Sequence, residues 1–121
     1  MARRKVLVVD DSTTVAKVLS KILDESGRYE VVATATDGLL AMQKYQELSP
    51  DIVCMDVVMP NVDGLQALEQ ILKKWSDAKV VMITSVGGVA EVVDRCLKAG
   101  AKNVISKPFD EKRVLAILDG L

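Results

Sequence analysis

Short apolar runs rich in β-branched residues alternate with amphipathic stretches five times along the 121 residues, a pattern that few folds accept. The runs span residues 5–9, 30–35, 52–56, 79–84 and 103–106. Between them, apolar residues recur at helical spacing. Ser12 opens the first helix, where Val15, Val18, Leu19, Ile22 and Leu23 share one face before Gly27 stops it. Asp37 can cap a second helix that runs to Leu48. Pro60, Asp63 and Gly64 shape a loop before a third, whose face carries Leu65, Leu68, Ile71 and Leu72. Gly87-Gly88 opens the fourth, with Val89, Val92, Val93 and Leu97 on one face and Gly100 as its stop. Asp110 caps a last helix that reaches Leu118.

An unbroken apolar strand has no solvated side, so the pattern predicts a parallel sheet with helices packed on both faces. Five βα units make an open, doubly wound α/β sheet, whereas a closed barrel of this kind needs about eight. No linker or low-complexity stretch divides the chain, so residues 1–121 read as a single domain without an output domain. The alternation says nothing about function.

Composition removes several function classes. Sixteen Lys and Arg against 17 Asp and Glu leave a net charge of −1, scattered along the chain, so there is no electrostatic footprint for nucleic acid. The basic start at Arg3, Arg4 and Lys5 leads only to the short apolar run Val6-Leu7-Val8-Val9, too brief for a signal peptide or a membrane span. Cys54 and Cys96 form no CxxC pair, and Cys54 reads as a small core residue, which points to the cytoplasm. Histidine is absent, which excludes Ser-His-Asp and Cys-His catalysis, the usual zinc sites and a phospho-histidine donor.

Chemistry must therefore run on carboxylates, hydroxyls and lysines. Ligands of an open α/β sheet bind beyond the carboxyl ends of its strands. Those ends carry Asp10 and Asp11, Asp56, Thr84 and Ser85, and Lys107. Singly, each has a plain structural reading: a helix cap at Asp10-Asp11, a strand end at Asp56, a turn cap at Thr84, a loop at Lys107-Pro108. Together they carry a chemistry. Clustered carboxylates repel, and a divalent cation resolves the conflict; few hard oxygen ligands beside a phosphate favour Mg²⁺. A phosphoryl group on a carboxylate spreads charge over its oxygens and needs a metal, a lysine and hydroxyl or amide donors around it. This set supplies all three.

The ordered set Asp10-Asp11-Ser12, Met55-Asp56-Val57-Val58-Met59-Pro60 with Asp63-Gly64, Thr84-Ser85 and Lys107-Pro108-Phe109 resembles the response-regulator receiver domain of two-component signalling. The resemblance covers the whole chain, which looks most like the CheY-like stand-alone regulators of chemotaxis. It implies a flavodoxin-like (βα)5 sheet of strand order 2-1-3-4-5. It also implies that Asp56 is the phosphoacceptor, attacking a phospho-histidine of a CheA-like sensor histidine kinase. Asp11, Asp56 and the backbone carbonyl of Val58 would hold Mg²⁺, with Asp10 acting largely through a water. Thr84 would turn its hydroxyl to the phosphoryl group and Lys107 would pair with it. The implied readout face is the fourth helix, fifth strand and fifth helix, with a target such as a flagellar motor switch protein. Such a chain is not an enzyme beyond its own phosphorylation and slow dephosphorylation, and works as a cytoplasmic monomer without nucleic-acid or membrane partners. A receiver excised from a larger regulator, or a phosphate-sink receiver, would carry the same residues.

Departures from the family pattern stand out. Val104 occupies the position, three before Lys107, where the family usually has Tyr or Phe, so an aromatic in/out swing is unavailable. Val58 and Val86 are apolar at the positions that tune hydrolysis in the family, which predicts a long-lived phosphoryl group. Val58 also stands where a phosphatase of the haloacid-dehalogenase type needs its second Asp, which argues against turnover. A flavin or nucleotide binder would need a Gly-rich loop after the first strand, where Asp10-Asp11 stands instead. A degenerate receiver would have lost a core residue, and none is lost.

Overall fold

The computed structural model describes residues 2–59, 62–85 and 90–121. In chain order the elements are β1 (Arg4–Val9), α1 (Thr13–Glu25), β2 (Tyr29–Ala35), α2 (Gly38–Leu48), β3 (Ile52–Asp56), α3 (Gly64–Lys74), β4 (Val80–Thr84), α4 (Ala90–Lys98), β5 (Asn103–Ser106) and α5 (Glu111–Asp119). The strands pair in parallel as β2-β1-β3-β4-β5, the order that the resemblance implies.

Unbroken apolar runs become fully covered strands because alternate side chains feed two separate cores. On one side, Leu7, Val9, Val53, Met55, Val80 and Met82 meet Ala41, Leu68, Ile71 and Cys96 of α2, α3 and α4. On the other, Val6, Val8, Ile52, Cys54, Val81 and Ile83 meet Leu19 and Leu23 of α1 and Val114 and Leu118 of α5. Burying each such Leu or Ile contributes about 1.5–3 kcal/mol, which fixes the helices over the sheet. Side chains close the helix starts: Ser12 Oγ accepts from the Val15 amide at 3.3 Å and Asp37 Oδ1 from the Leu40 amide at 2.8 Å. Asp110 does the same for α5 through the Lys112 amide at 3.0 Å.

Two apolar positions expected on core faces are not there. Val18 is 48% exposed and Leu97 46%, while Ala16, Leu19 and Leu23 of α1 and Cys96 of α4 are buried. Each helical residue turns the side chain by about 100°, so the immediate neighbour of a centrally buried residue is carried off the core. The loop expected at Pro60, and the helix opening expected at Gly87-Gly88 and Val89, lie outside the described residues. Among the described residues, no helix is long and apolar enough to cross a membrane.

Candidate functional site

The strand order sets the carboxyl ends of β1, β3, β4 and β5 side by side. Beyond β1, the Asp10 amide donates to the Ala35 carbonyl at 2.9 Å, and Asp10 Oδ1 accepts from the Ser12 amide at 2.8 Å. Asp56 closes β3 and is buried, with Oδ1 accepting from the Val58 amide at 3.2 Å. Its Oδ2 accepts from Lys107 Nζ at 3.1 Å. Lys107 is anchored beyond β5 by its amide, which donates to the Thr84 carbonyl at 2.9 Å, and the Lys107–Pro108 peptide is cis.

The loop after β3 returns to the site through α3. Asp63 and Gln66 form a capping box, each side chain accepting from the other residue's amide, at 2.9 and 3.3 Å. The Gly64 amide then donates to the Val57 carbonyl at 2.8 Å. A Cβ on Gly64 would collide with the Asp56 carbonyl oxygen and lie 2.8 Å from both the Asp56 carbonyl carbon and Val57 Cα. Only a glycine lets α3 start against the backbone that carries Asp56.

Ligand atoms of Asp10, Asp11 and Asp56 all lie within 4.8 Å of one another, with Asp11 exposed and the other two buried. Among the described residues, one ammonium pairs with two of these three carboxylates: Lys107 Nζ is also 3.4 Å from Asp10 Oδ2. Burial opposes the Lys107 charge, but the hydrogen bond and charge of Asp56 and the charge of Asp10 outweigh it, so its pKa is raised. Residual negative charge remains. Asp10 Oδ2 is buried and accepts no hydrogen bond among the described residues; the Lys107 ammonium at 3.4 Å is its ionic partner, and a cation bound here would have to share this oxygen with it. Hard, clustered carboxylate oxygens with uncompensated charge suit Mg²⁺.

A cavity of about 320 Å³ opens over the cluster, lined by Asp11, Asp56, Val58, Thr84 and Lys107, with Val92 of α4 on its apolar side. Asp10 lines a neighbouring groove along α1. Val58 is 75% exposed beside Asp56, an apolar rim to the cavity. The Thr84 hydroxyl lies 3.4 Å from Ser106 Oγ and, among the described residues, makes no hydrogen bond to Asp56. Val104 is a core valine opposite Met82 on the side covered by α2, α3 and α4. Val86 lies outside the described residues.

The sequence-derived set Asp10, Asp11, Asp56, Thr84 and Lys107 thus converges, and Val58 adjoins it. Ser106 and the close approach of Gly64 were missed as parts of the site. A hydroxyl at the end of the fifth strand was the available signal for Ser106, legible only once its register against Thr84 is known. Cys54 is buried in the core, where burial pushes its thiol up to about 12 and leaves it without nucleophilic character.

Residues 6–119 match the model of the response regulator receiver domain. The chain is 50% identical over 113 residues to the chemotaxis protein CheY of Treponema pallidum, covering 92% of this chain and 77% of that one. It is 46% identical over 115 residues to CheY of Listeria monocytogenes, covering 95% of each. Among solved structures, a chain of the CheX–CheY–BeF3–Mg²⁺ complex from Borrelia burgdorferi is similar at a TM-score of 0.90 and 37% identity, over 97% of this chain and 87% of that one.

Proposed function

The chain belongs to the response regulator receiver domain family, and we propose that it is a phosphorylation-activated switch whose phosphoacceptor is Asp56. The observation that carries this reading is the carboxylate cluster at the strand ends, with its ligand atoms within 4.8 Å and Lys107 held 3.1 Å from Asp56. In the reaction, an Asp56 carboxylate oxygen forms the new O–P bond as the N–P bond of a partner's phospho-histidine breaks. The electron pair of that bond leaves with the ring nitrogen. Asp11, Asp56 and the Val58 carbonyl would hold Mg²⁺ directly, with Asp10 acting largely through a water, and the bound ion would supply positive charge against the phosphoryl oxygens. Lys107 pairs with the same oxygens, and Thr84 offers its hydroxyl from the edge of the cavity.

The finer assignments follow the relatives. Similarity to proteins named CheY, over 77% and 95% of their lengths, supports a receiver that takes its phosphoryl group from a CheA-like histidine kinase. Its readout is the face of α4, β5 and α5, presented in the cytoplasm to a target such as a flagellar motor switch protein. Beyond its own phosphorylation and dephosphorylation it turns over no substrate.

Intact-mass measurement after incubation with acetyl phosphate and Mg²⁺ tests the assignment. One added phosphoryl group is expected on the wild type and none on Asp56→Ala. No added mass on the wild type, or mass that survives Asp56→Ala, overturns it. Transfer from a purified CheA-type kinase tests the donor in the same way.

A further inference from the structure

Parallel pairing sets Thr84 of β4 opposite Ser106 of β5, and the backbone bond from Lys107 to Thr84 locks that register. Paired residues project to the same side of a sheet, and here their hydroxyl oxygens come to 3.4 Å. Thr84 is only 4% exposed, and Ser106 is the partner its hydroxyl has among the described residues. Two residues back on the same side, Val104 packs opposite Met82, so no aromatic ring stands there to follow a movement of Thr84.

A threonine hydroxyl has a single proton to donate, so turning it to a phosphoryl oxygen means giving up or reversing its contact with Ser106. The separation of 3.4 Å exceeds the usual hydroxyl pairing of about 2.7–2.8 Å, which makes the contact weak enough to exchange. We infer that Ser106 is a positioning residue that holds the Thr84 hydroxyl toward β5 until a phosphoryl group on Asp56 takes it over. This rests on the reading that Asp56 is the phosphoacceptor. Ser106 then biases the balance between resting and phosphoryl-engaged forms, and it does so at the residue preceding Lys107, where β5 leads toward α5.

Removing the Ser106 hydroxyl leaves the buried Thr84 hydroxyl without its partner in the resting form and costs the engaged form nothing comparable. Beryllofluoride with Mg²⁺ serves as the phosphoryl probe, titrated by NMR on the intact chain. Ser106→Ala is expected to tighten its apparent binding about three- to tenfold, the equivalent of one hydrogen bond. Ser106→Thr, which keeps the hydroxyl, is expected to behave as wild type. In a Thr84→Ala background, Ser106→Ala is expected to have no further effect, whereas a merely structural role for Ser106 would persist there. Unchanged or weaker binding by Ser106→Ala, or an effect undiminished in Thr84→Ala, overturns the inference. The wild type is first tested for a phosphoryl mass that is lost in Asp56→Ala; failure at that step overturns the underlying reading instead.

Discussion

Gly64→Ala puts the positioning of Asp56 to a direct test, because two effects of opposite sign compete at this residue. Alanine is the better helix former, by up to about 1 kcal/mol, so an unobstructed first turn of α3 would be stabilised. Here the added Cβ runs into the Asp56 carbonyl oxygen and sits 2.8 Å from the Asp56 carbonyl carbon and Val57 Cα. Carbon atoms prefer about 3.5–4.0 Å, so α3 and the Asp56–Val57 backbone must separate by roughly 1 Å. That backbone cannot yield cheaply, since Asp56 is paired with β4 and the Val57 amide donates to the Ile83 carbonyl at 3.0 Å. Overpacking of this kind costs about 1–3 kcal/mol or more, and a clash with backbone belongs at the upper end. The net loss is about 2 kcal/mol, which for a domain this size lowers Tm by roughly 5–10 °C. A shift of this size at a reacting carboxylate slows phosphoryl uptake by up to about 10²-fold. Thermal melts followed by circular dichroism, and acetyl phosphate uptake followed by mass, read the two effects. Gly27→Ala is the control: it is strained by its φ of +76° alone, with nothing within 4 Å of the new Cβ, and uptake should not change. A Gly64→Ala protein that melts at or above wild type and accepts phosphoryl at the normal rate would refute the reasoning.

Other sites give independent tests. Val58 rims the cavity as an exposed apolar residue, so Val58→Asn with Val86→Glu should shorten the phosphoryl lifetime at least severalfold, measured as decay of the phosphorylated mass; an unchanged lifetime would sink this account. Lys107→Ala removes the cation that competes at Asp56 and Asp10, so calorimetry should find tighter Mg²⁺ binding, and weaker binding would contradict the electrostatics described. Tyr29 donates to Asp119 Oδ1 at 2.6 Å, and burial followed by the Asp119 bond pushes its pKa up to about 12. Because the folded value lies above the ordinary 10.0, this contribution is whole below pH 10 and fades as pH rises toward 12; denaturant melts of Tyr29→Phe should lack that slope. Asp119 is shifted the other way, lowered first by the Tyr29 bond, so its contribution holds above pH 3.8 and is lost in acid. Asp119→Asn should flatten the acid limb, and an unaltered limb would count against the pairing.

Features that depend on near neighbours were legible in the order of amino acids. Caps at Asp37 and Asp110 were legible because a cap joins residues two or three apart. Ile52–Asp56 and Asn103–Ser106 matched to the residue, since an unbroken apolar run bounded by polar residues is a local pattern. Residue types at four strand ends then announced the site, because a doubly wound sheet leaves one edge for chemistry. Tertiary structure decided the rest. Val18 and Leu97 turned outward because a helix with several adjacent apolar residues has more than one usable face, and packing against the sheet selects it. Lys107 reaches Asp56 across 51 positions and Thr84 meets Ser106 across 22, contacts set by strand register. Gly64 reads as a turn residue in sequence; only the packing of α3 onto the end of β3 makes it the residue without which Asp56 would be displaced. Local preferences act over a few bonds, whereas register and approach distance arise from segments far apart in the chain that must share one close-packed interior.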